Sequence, residues 1–250
     1  WQVDGRESSV AVDDRDSLSF VINGKSDGNA FYDAPTHVMA GLVGALLHRE
    51  PTHAMVIGLG TGCTAGWLAE VPSMERVDVV ELEPAIMEAS RFFDHVNHRP
   101  MKDKRTRIIA DDGRNYLSAT DRRYDVIINE PSNPWITGVS NLFTVDYFRI
   151  AKRRLKPGGL FCTWAQTYEL APRRIKSIYK AFTKVFPYVY VFSATTLSSD
   201  TFIIGSEREL RFDVRRMRRS FAIPSVKKEM KRALLEGPDD LLALSLLGPA

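Results

Sequence analysis

Seven short apolar runs, most of them separated by stretches with helical periodicity, are the feature that most constrains this fold. In chain order they are Ala54–Gly58, Val77–Glu81, Arg107–Ala110, Tyr124–Asn129, Leu160–Trp164, Tyr188–Phe192 and Thr201–Gly205. Strands that alternate with helices connect by right-handed crossovers and form a largely parallel sheet covered on both faces. The sequence therefore predicts an α/β domain whose ligands bind at the carboxyl ends of the strands.

The segments on either side of this alternation have patterns of their own. Ser9–Val12 and Leu18–Asn23 alternate apolar and polar residues around a turn, which predicts a hairpin, and a helix is expected to begin near Asp33. The domain boundaries predicted from these patterns are residues 1–50 for a small β unit with a helix, 51–206 for the main domain and 207–250 for a basic helical segment packed on it.

Composition and charge exclude several classes of protein. The chain of 250 residues has 44% hydrophobic and 26% charged residues, which is typical of globular domains. Cys63 and Cys162 lack metal-ligand spacing, so no metal site is expected. Ten Lys or Arg stand against four Asp or Glu between Glu207 and Arg232, without an aromatic-rich RNA motif. Nucleic-acid binding is not predicted, and an anionic membrane surface fits the basic segment better.

A glycine-rich turn follows the first strand of the alternation and is the sharpest local signal. Gly58, Gly60 and Gly62 leave room for a ligand against the backbone, at the start of a helix with unpaired N–H groups. Glu81 ends the next strand, where a carboxylate can accept both ribose hydroxyls. The dinucleotide-binding pattern is Gly-x-Gly-x-x-Gly, which would place its third glycine at position 63. This sequence has Cys63 there. The pattern therefore favours a single adenosine over NAD.

Two more strand ends carry polar residues. Asp112 and Gly113 follow the third strand, where the carboxylate could accept a hydrogen bond from an adenine amino group or simply cap the next helix. After the fourth strand, Glu130–Trp135 reads Glu-Pro-Ser-Asn-Pro-Trp, an unusual loop of the kind that is shaped for a ligand.

The order of these motifs resembles that of the spermidine synthase (aminopropyltransferase) family, an α/β family with the class I AdoMet-dependent methyltransferase-like Rossmann fold and a small N-terminal β unit. The resemblance rests on the glycine turn, Val79–Glu83, Asp112–Gly113, Tyr124–Ile128 and Leu155–Gly159. Gly113–Leu117 and Glu130–Trp135 are more similar to bacterial homologues fused to a transmembrane region. That similarity implies a domain on the cytoplasmic side of the bacterial inner membrane, and the family implies a homodimer.

The resemblance also implies roles for particular residues, with AdoMet or decarboxylated AdoMet as co-substrate and a small-molecule acceptor. The donor would be held by Gly58, Gly60, Thr61, Gly62, Glu81, Leu82, Asp112 and Gly113. The catalytic positions would be Glu130 and Asn133, and the substrate-binding positions would be His37, Trp135, Gln166 and Tyr168.

Three departures from the family pattern bear on the reaction. Thr61 stands where the family has the Asp that holds the donor ammonium, and Asn133 stands where it has a diamine-binding Asp. The family's Tyr-Pro acceptor segment is not recognisable. Each lost carboxylate–ammonium contact is worth roughly 4 kcal/mol at 4 Å and an effective dielectric near 20. These losses predict AdoMet as the preferred donor, because its own carboxylate partly neutralises its ammonium.

The favoured hypothesis is therefore an AdoMet-cleaving, lyase-type reaction. The AdoMet carboxylate would attack the carbon beside sulfur, giving methylthioadenosine and a homoserine lactone. The first alternative is aminopropyl transfer from decarboxylated AdoMet to an amine, with Glu130 as base and a polyamine as product. The others are an AdoMet-dependent methyltransferase, suggested by Asn133-Pro134-Trp135, and a nucleoside sensor without catalysis.

Overall fold

The computed structural model describes residues 1–133, 138–168, 170–195 and 199–249. The chain begins with a small antiparallel sheet in the order β1, β2, β3, β4. These strands are β1 Gln2–Asp4, β2 Ser9–Asp13, β3 Ser19–Ile22 and β4 Lys25–Asn29. The predicted hairpin is its central pair, with Val10 opposite Ile22 and Val12 opposite Phe20. Val10 and Phe20 face the core, as their alternation with polar residues requires.

Helix α1, Ala34–Leu47, connects this sheet to the rest of the molecule. Pro35 lies in its first turn, where a missing N–H costs nothing. The helix is buried on nearly every side, so it is apolar around its circumference rather than along one stripe. It therefore packs between the main sheet and the C-terminal helices. This packing holds the start of the helix, which carries His37, in place.

The main sheet contains eight of the described strands, in the order β12, β10, β11, β9, β8, β5, β6, β7. They are β5 His53–Ile57, β6 Arg76–Glu81, β7 Thr106–Ala110, β8 Tyr124–Asn129, β9 Leu155–Gln166, β10 Tyr188–Ser193, β11 Asp200–Ser206 and β12 Ser245–Leu247. Strands β5 to β9 are parallel, and the last three pair antiparallel. The α/β fold class is confirmed, but the sheet is mixed because β10 and β11 follow each other without a crossover helix.

Helices cover both faces of this sheet. They are α2 Cys63–Ala69, α3 Pro84–Ala89, α4 Gly113–Ala119, α5 Val145–Arg153, α6 Pro172–Thr183, α7 Val214–Phe221, α8 Pro224–Arg232 and α9 Pro238–Ala243, with 3₁₀ helices at Ser90–Phe93, Pro100–Lys102 and Val139–Phe143. One buried cluster joins the N-terminal sheet, α1, α2 and α8, and the other lies under α4, α5 and α6. In the basic C-terminal segment, Met217 and Met230 point into the first cluster. Among the described helices, none is long and apolar enough to cross a membrane.

The connections reverse direction between β5 and β8, which are neighbours in the sheet. From β5 the chain continues to β6 and β7 on one side, and from β8 it continues to β9 on the other. Such a switch point opens a crevice at the carboxyl ends of the strands. The two loops meet there, since the Glu130 N–H donates to the Ile57 carbonyl at 2.9 Å.

Candidate active site

A cavity of about 640 Å³ opens at this switch point, a volume within the usual range for small-molecule sites. Of the residues predicted for the site, those that line it are His37, Gly58, Gly60, Thr61, Glu81, Leu82, Asp112, Gly113 and Glu130. Gly62, Asn133, Gln166 and Tyr168 are not among the lining residues, and Trp135 lies outside the described residues. The fold thus brings most of the residues predicted for the donor together from three separate strand ends, and Glu130 joins them from a fourth.

The glycine turn has the backbone geometry that its sequence predicts. Gly58 has φ +93°, and a Cβ atom there would lie 2.7 Å from the Glu130 carbonyl oxygen. Gly62, at the start of α2, has φ +81°. Both positions require glycine, because other residues rarely adopt these angles and Gly58 has no room for a side chain. The turn consequently exposes backbone to the cavity between β5 and α2.

Asn97 holds the glycine turn in place by hydrogen bonds, and sequence reasoning did not identify it. Its buried side-chain amide donates to the carbonyl oxygens of Thr61 at 2.8 Å and Ser90 at 2.9 Å. Its Oδ1 atom accepts the Arg99 N–H at 2.9 Å. Three bonds to backbone groups therefore fix the turn against the loop after α3.

Glu81 lies beneath the glycine turn and is 5% exposed. Its carboxylate accepts the Leu59 N–H at 2.7 Å and the Glu83 N–H at 2.9 Å. Burial raises its pKa, and these backbone hydrogen bonds oppose the shift. Each carboxylate oxygen keeps a lone pair for a further donor. The residue lines the cavity, so its position fits a ligand that presents two neighbouring hydroxyls.

Asp112 both caps α4 and lines the cavity. Its Oδ1 atom accepts the Asn115 N–H at 2.7 Å, which is the capping arrangement considered as an alternative. A Cβ atom on Gly113 would lie 2.5 Å from Ile57 Cγ2, so close packing of α4 on β5 requires the glycine. Leu82 is 51% exposed at the rim. These residues together form one side of the cavity.

Glu130 is one of the carboxylate residues that line the cavity. Its side chain is partly buried. Removal from bulk water raises its pKa from 4.5 to about 7, against a hydrogen bond with Thr64. A general base works best with a pKa near the operating pH. Glu130 thus has the position and the proton affinity to accept a proton from a bound ligand.

The α1 side of the cavity carries a different group of polar residues. Asp27 accepts a hydrogen bond from the Ser132 hydroxyl at 2.5 Å, and both residues line the cavity with His37 and Trp164. Burial lowers the pKa of His37, so the ring is neutral at pH 7. The His37 Nδ1 and Trp164 Nε1 atoms are buried without a hydrogen-bond partner among the described residues.

Asn133 follows Ser132 in the chain and is fully buried, but it does not line the cavity. Its side-chain oxygen accepts a hydrogen bond from the Lys25 ammonium, and its amide donates to the Tyr168 hydroxyl at 3.3 Å. Gln166 is also buried, and neither amide atom of its side chain has a partner within the described part of the chain. No group of His, Cys, Asp and Glu residues in that part is arranged to hold a metal ion.

The fold is that of an α/β domain of the class I methyltransferase type, with a small N-terminal antiparallel sheet and a cavity at the switch point of the main sheet. Solved structures share the fold: a spermidine synthase in complex with the transition-state analogue AdoDATO has a TM-score of 0.77 at 23% identity, covering 92% of this chain and 87% of that one. Human methyltransferase-like protein 13 in complex with SAH has a TM-score of 0.58 at 19% identity, covering 80% and 90% of the two chains. The spermine/spermidine synthase domain model matches residues 34–211, so the chain belongs to that family.

Curated relatives agree with this family. The polyamine aminopropyltransferase of Thermococcus onnurineus is 30% identical over 67% of this chain and 60% of its own length. That of Thermococcus kodakarensis is 31% identical over 67% and 61%. The putrescine N-methyltransferase 2 of Nicotiana attenuata is 31% identical over 62% and 42%. The chain therefore spans about three fifths of the length of the aminopropyltransferases and less of the methyltransferase.

Proposed function

We propose that this protein is an aminopropyltransferase that uses decarboxylated AdoMet and a primary amine. The observation that carries the proposal is the Glu130 carboxylate with its pKa raised to about 7, in the cavity that Glu81 and the glycine turn also line. Transfer to an amine requires a base at this place, because an ammonium ion has no lone pair with which to attack.

In the proposed reaction, the amine nitrogen forms a bond to the methylene carbon beside the donor sulfonium. The carbon–sulfur bond breaks, and its electron pair leaves with neutral methylthioadenosine. The proton lost by the amine passes to Glu130. Glu81 would bind the ribose hydroxyls and Asp112 the adenine amino group, so most of the rate enhancement comes from orientation and from the carboxylate.

The intramolecular, AdoMet-cleaving hypothesis has less support. The aminopropyltransferases among the relatives act, by name, on polyamines, and the family match favours transfer to an amine over cleavage of AdoMet alone. A lactone-forming reaction would also leave the Glu130 base without a proton to accept, since the attacking AdoMet carboxylate has none. The donor preference for AdoMet, predicted from Thr61, is not confirmed.

Product analysis by mass spectrometry tests the proposal. The protein is incubated with decarboxylated AdoMet and a panel of amines, with AdoMet and the same amines, and with AdoMet alone. Methylthioadenosine together with an aminopropylated amine in the first mixture supports the proposal. Methylthioadenosine from AdoMet alone supports cleavage instead, and absence of any product supports a nucleoside sensor.

A second candidate is N-methyl transfer from AdoMet, which the similarity to Nicotiana putrescine N-methyltransferases favours. Thr61 would suit the carboxylate of AdoMet better than an Asp would. The same mixtures separate it, because it yields adenosylhomocysteine and a methylated amine. Membrane proximity and homodimerisation stay predictions; flotation with anionic vesicles at low salt and sedimentation analysis test them.

A further inference from the structure

Another cavity, of about 620 Å³, lies at the opposite end of the main sheet from the candidate active site. The end of α5, the beginning of β9 and the segment after β11 surround it, beside the residue that precedes β8. None of the described residues predicted for the active site lines it. Its charged lining residues are five basic ones and one acidic one, which gives a net charge of +4: Arg123, Lys152, Arg153, Arg154, Arg208 and Glu207.

Backbone carbonyl groups hold three of the basic side chains in place. The Arg123 guanidinium donates to the Leu155 carbonyl at 3.4 Å, and the Lys152 ammonium donates to the Val185 carbonyl at 3.1 Å. Arg154 donates to two further carbonyl oxygens, at 2.8 and 2.9 Å. A carbonyl oxygen carries no net charge, so these bonds position the cations without neutralising them. Part of the entropy cost of ordering the side chains is therefore met before any ligand binds.

Carboxylates offset only part of this positive charge. Glu207 lies 3.2 Å from Lys152, and Asp121, which does not line the cavity, lies 4.0 Å from Arg154. When Asp121 and the exposed Glu209 are counted too, an excess of two positive charges remains. Within the described ranges, three of the basic residues have no ion pair: Arg123, Arg153 and Arg208. Like charges that share one cavity repel each other, and a bound anion relieves this repulsion.

The chemistry of the lining favours a phosphate group. A planar guanidinium offers parallel N–H donors that match two phosphate oxygens at once. A phosphate monoester carries a charge of about −1.5 to −2 at pH 7, which matches this excess better than the single charge of a carboxylate does. The basic residues come from three separate segments of the chain and converge on one cavity. That convergence fits a compact anion better than an extended acidic peptide.

We propose that this cavity binds a phosphate group, carried either by a soluble phosphate compound or by the headgroup of an anionic lipid. Arg123, Arg153 and Arg208 would contact the phosphate oxygens, since the described residues leave their charges unpaired. The proposal is independent of the proposed function, because the cavity and the candidate active site lie at opposite ends of the sheet.

Two probes test the proposal on the full chain and separate the two sources of phosphate. Pyrophosphate is titrated by calorimetry at low salt, and flotation is measured with vesicles of phosphatidylcholine alone or mixed with phosphatidate. Pyrophosphate binding would show that a soluble phosphate suffices. Flotation only with phosphatidate, without pyrophosphate binding, would assign the lipid headgroup. No binding of either probe, or binding of a polyglutamate peptide in place of both, would overturn the proposal.

Two variants assign the binding to this cavity. Arg153 and Arg208 are exposed and make no side-chain hydrogen bond with the described residues, so Arg153→Gln and Arg208→Gln should keep the urea midpoint of the wild type. Each should weaken binding of the phosphate probe at least about fivefold, the size of one charge–charge contact near 4 Å in water. Weakening of less than about twofold in both variants would overturn the proposal.

Arg107→Gln is the matched control. Arg107 is exposed on β7, has no ion pair with the described residues and does not line the cavity, and strands β5 and β6 lie between β7 and β8. Its replacement removes the same charge from the same sheet, so the affinity should stay within about twofold of the wild type. A loss as large as that of Arg208→Gln would show general attraction to a basic protein and would contradict a defined site.

Discussion

Replacement of Glu130 by glutamine should remove activity and at the same time stabilise the protein. The raised pKa means that the folded state binds the carboxyl proton more tightly than the unfolded state does. The stability that this proton provides is fully present below about pH 4.5, and it is lost as the pH rises toward about 7. A shift from 4.5 to about 7 corresponds to about 3 kcal/mol, as an upper bound.

Glutamine keeps the size of the side chain but has no charge to bury. We therefore expect Glu130→Gln to unfold at a higher urea concentration than the wild type at pH 8. Its free energy of unfolding should be larger by up to about 3 kcal/mol. The two proteins should become equal near pH 4. Transfer activity should fall by about 10²–10⁴-fold, the usual contribution of a general base.

The assays are urea denaturation between pH 4 and 8 and the initial rate of methylthioadenosine release. Glu130→Asp serves as the comparison, since it keeps the charge and moves it by one carbon. In the wild type, kcat/KM should fall about tenfold per pH unit below about 7. A Glu130→Gln variant that is less stable at pH 8, or one that retains most of its activity, would refute the assignment of Glu130 as a buried base.

Three other residues carry predictions. Lys156 and backbone N–H groups hold the pKa of Asp125 at about 2 despite its burial. The Asp125→Asn variant should therefore be about 1–2 kcal/mol less stable than the wild type at pH 7. In urea titrations this difference in stability should vanish as the pH falls from about 4 to about 2. Asn97→Ala leaves two buried carbonyls unpaired, so it should cost about 1–3 kcal/mol and weaken methylthioadenosine binding in calorimetry; unchanged affinity would contradict its role. Glu83 accepts the Glu7 N–H at 2.7 Å and caps α3. The Glu83→Ala variant should therefore show faster hydrogen exchange in residues 5–13, while exchange in β8 stays slow.

The sequence predicted the main strands because their apolar runs have the length and β-branched composition of buried strands. Strands β1 and β4 were missed for the opposite reason. The described residues of β1 are exposed, and Lys25–Asn29 reads Lys-Ser-Asp-Gly-Asn, which has neither apolar alternation nor β propensity. Both depend on pairing with β2 and β3, which is tertiary information. The mixed sheet was missed because an antiparallel return is not visible in a single strand's pattern.

The glycines and carboxylates that line the cavity at the strand ends were predictable, and the contacts on its α1 side were not. Glycines and carboxylates at strand ends are local signals, so Gly58, Glu81 and Asp112 could be identified. The contact of Lys25 with Asn133 joins residues separated by 108 positions, and no spacing rule relates them. Asn97 has no motif either, because it acts through backbone carbonyls that the fold brings to it.

The dependence of methylthioadenosine release on amine concentration, at saturating decarboxylated AdoMet, tests the central claim most directly. The proposed reaction predicts almost no release without amine, a saturable rise as amine is added, and one aminopropylated amine for each methylthioadenosine formed. Release at the same rate without amine, or release from AdoMet alone, would contradict it.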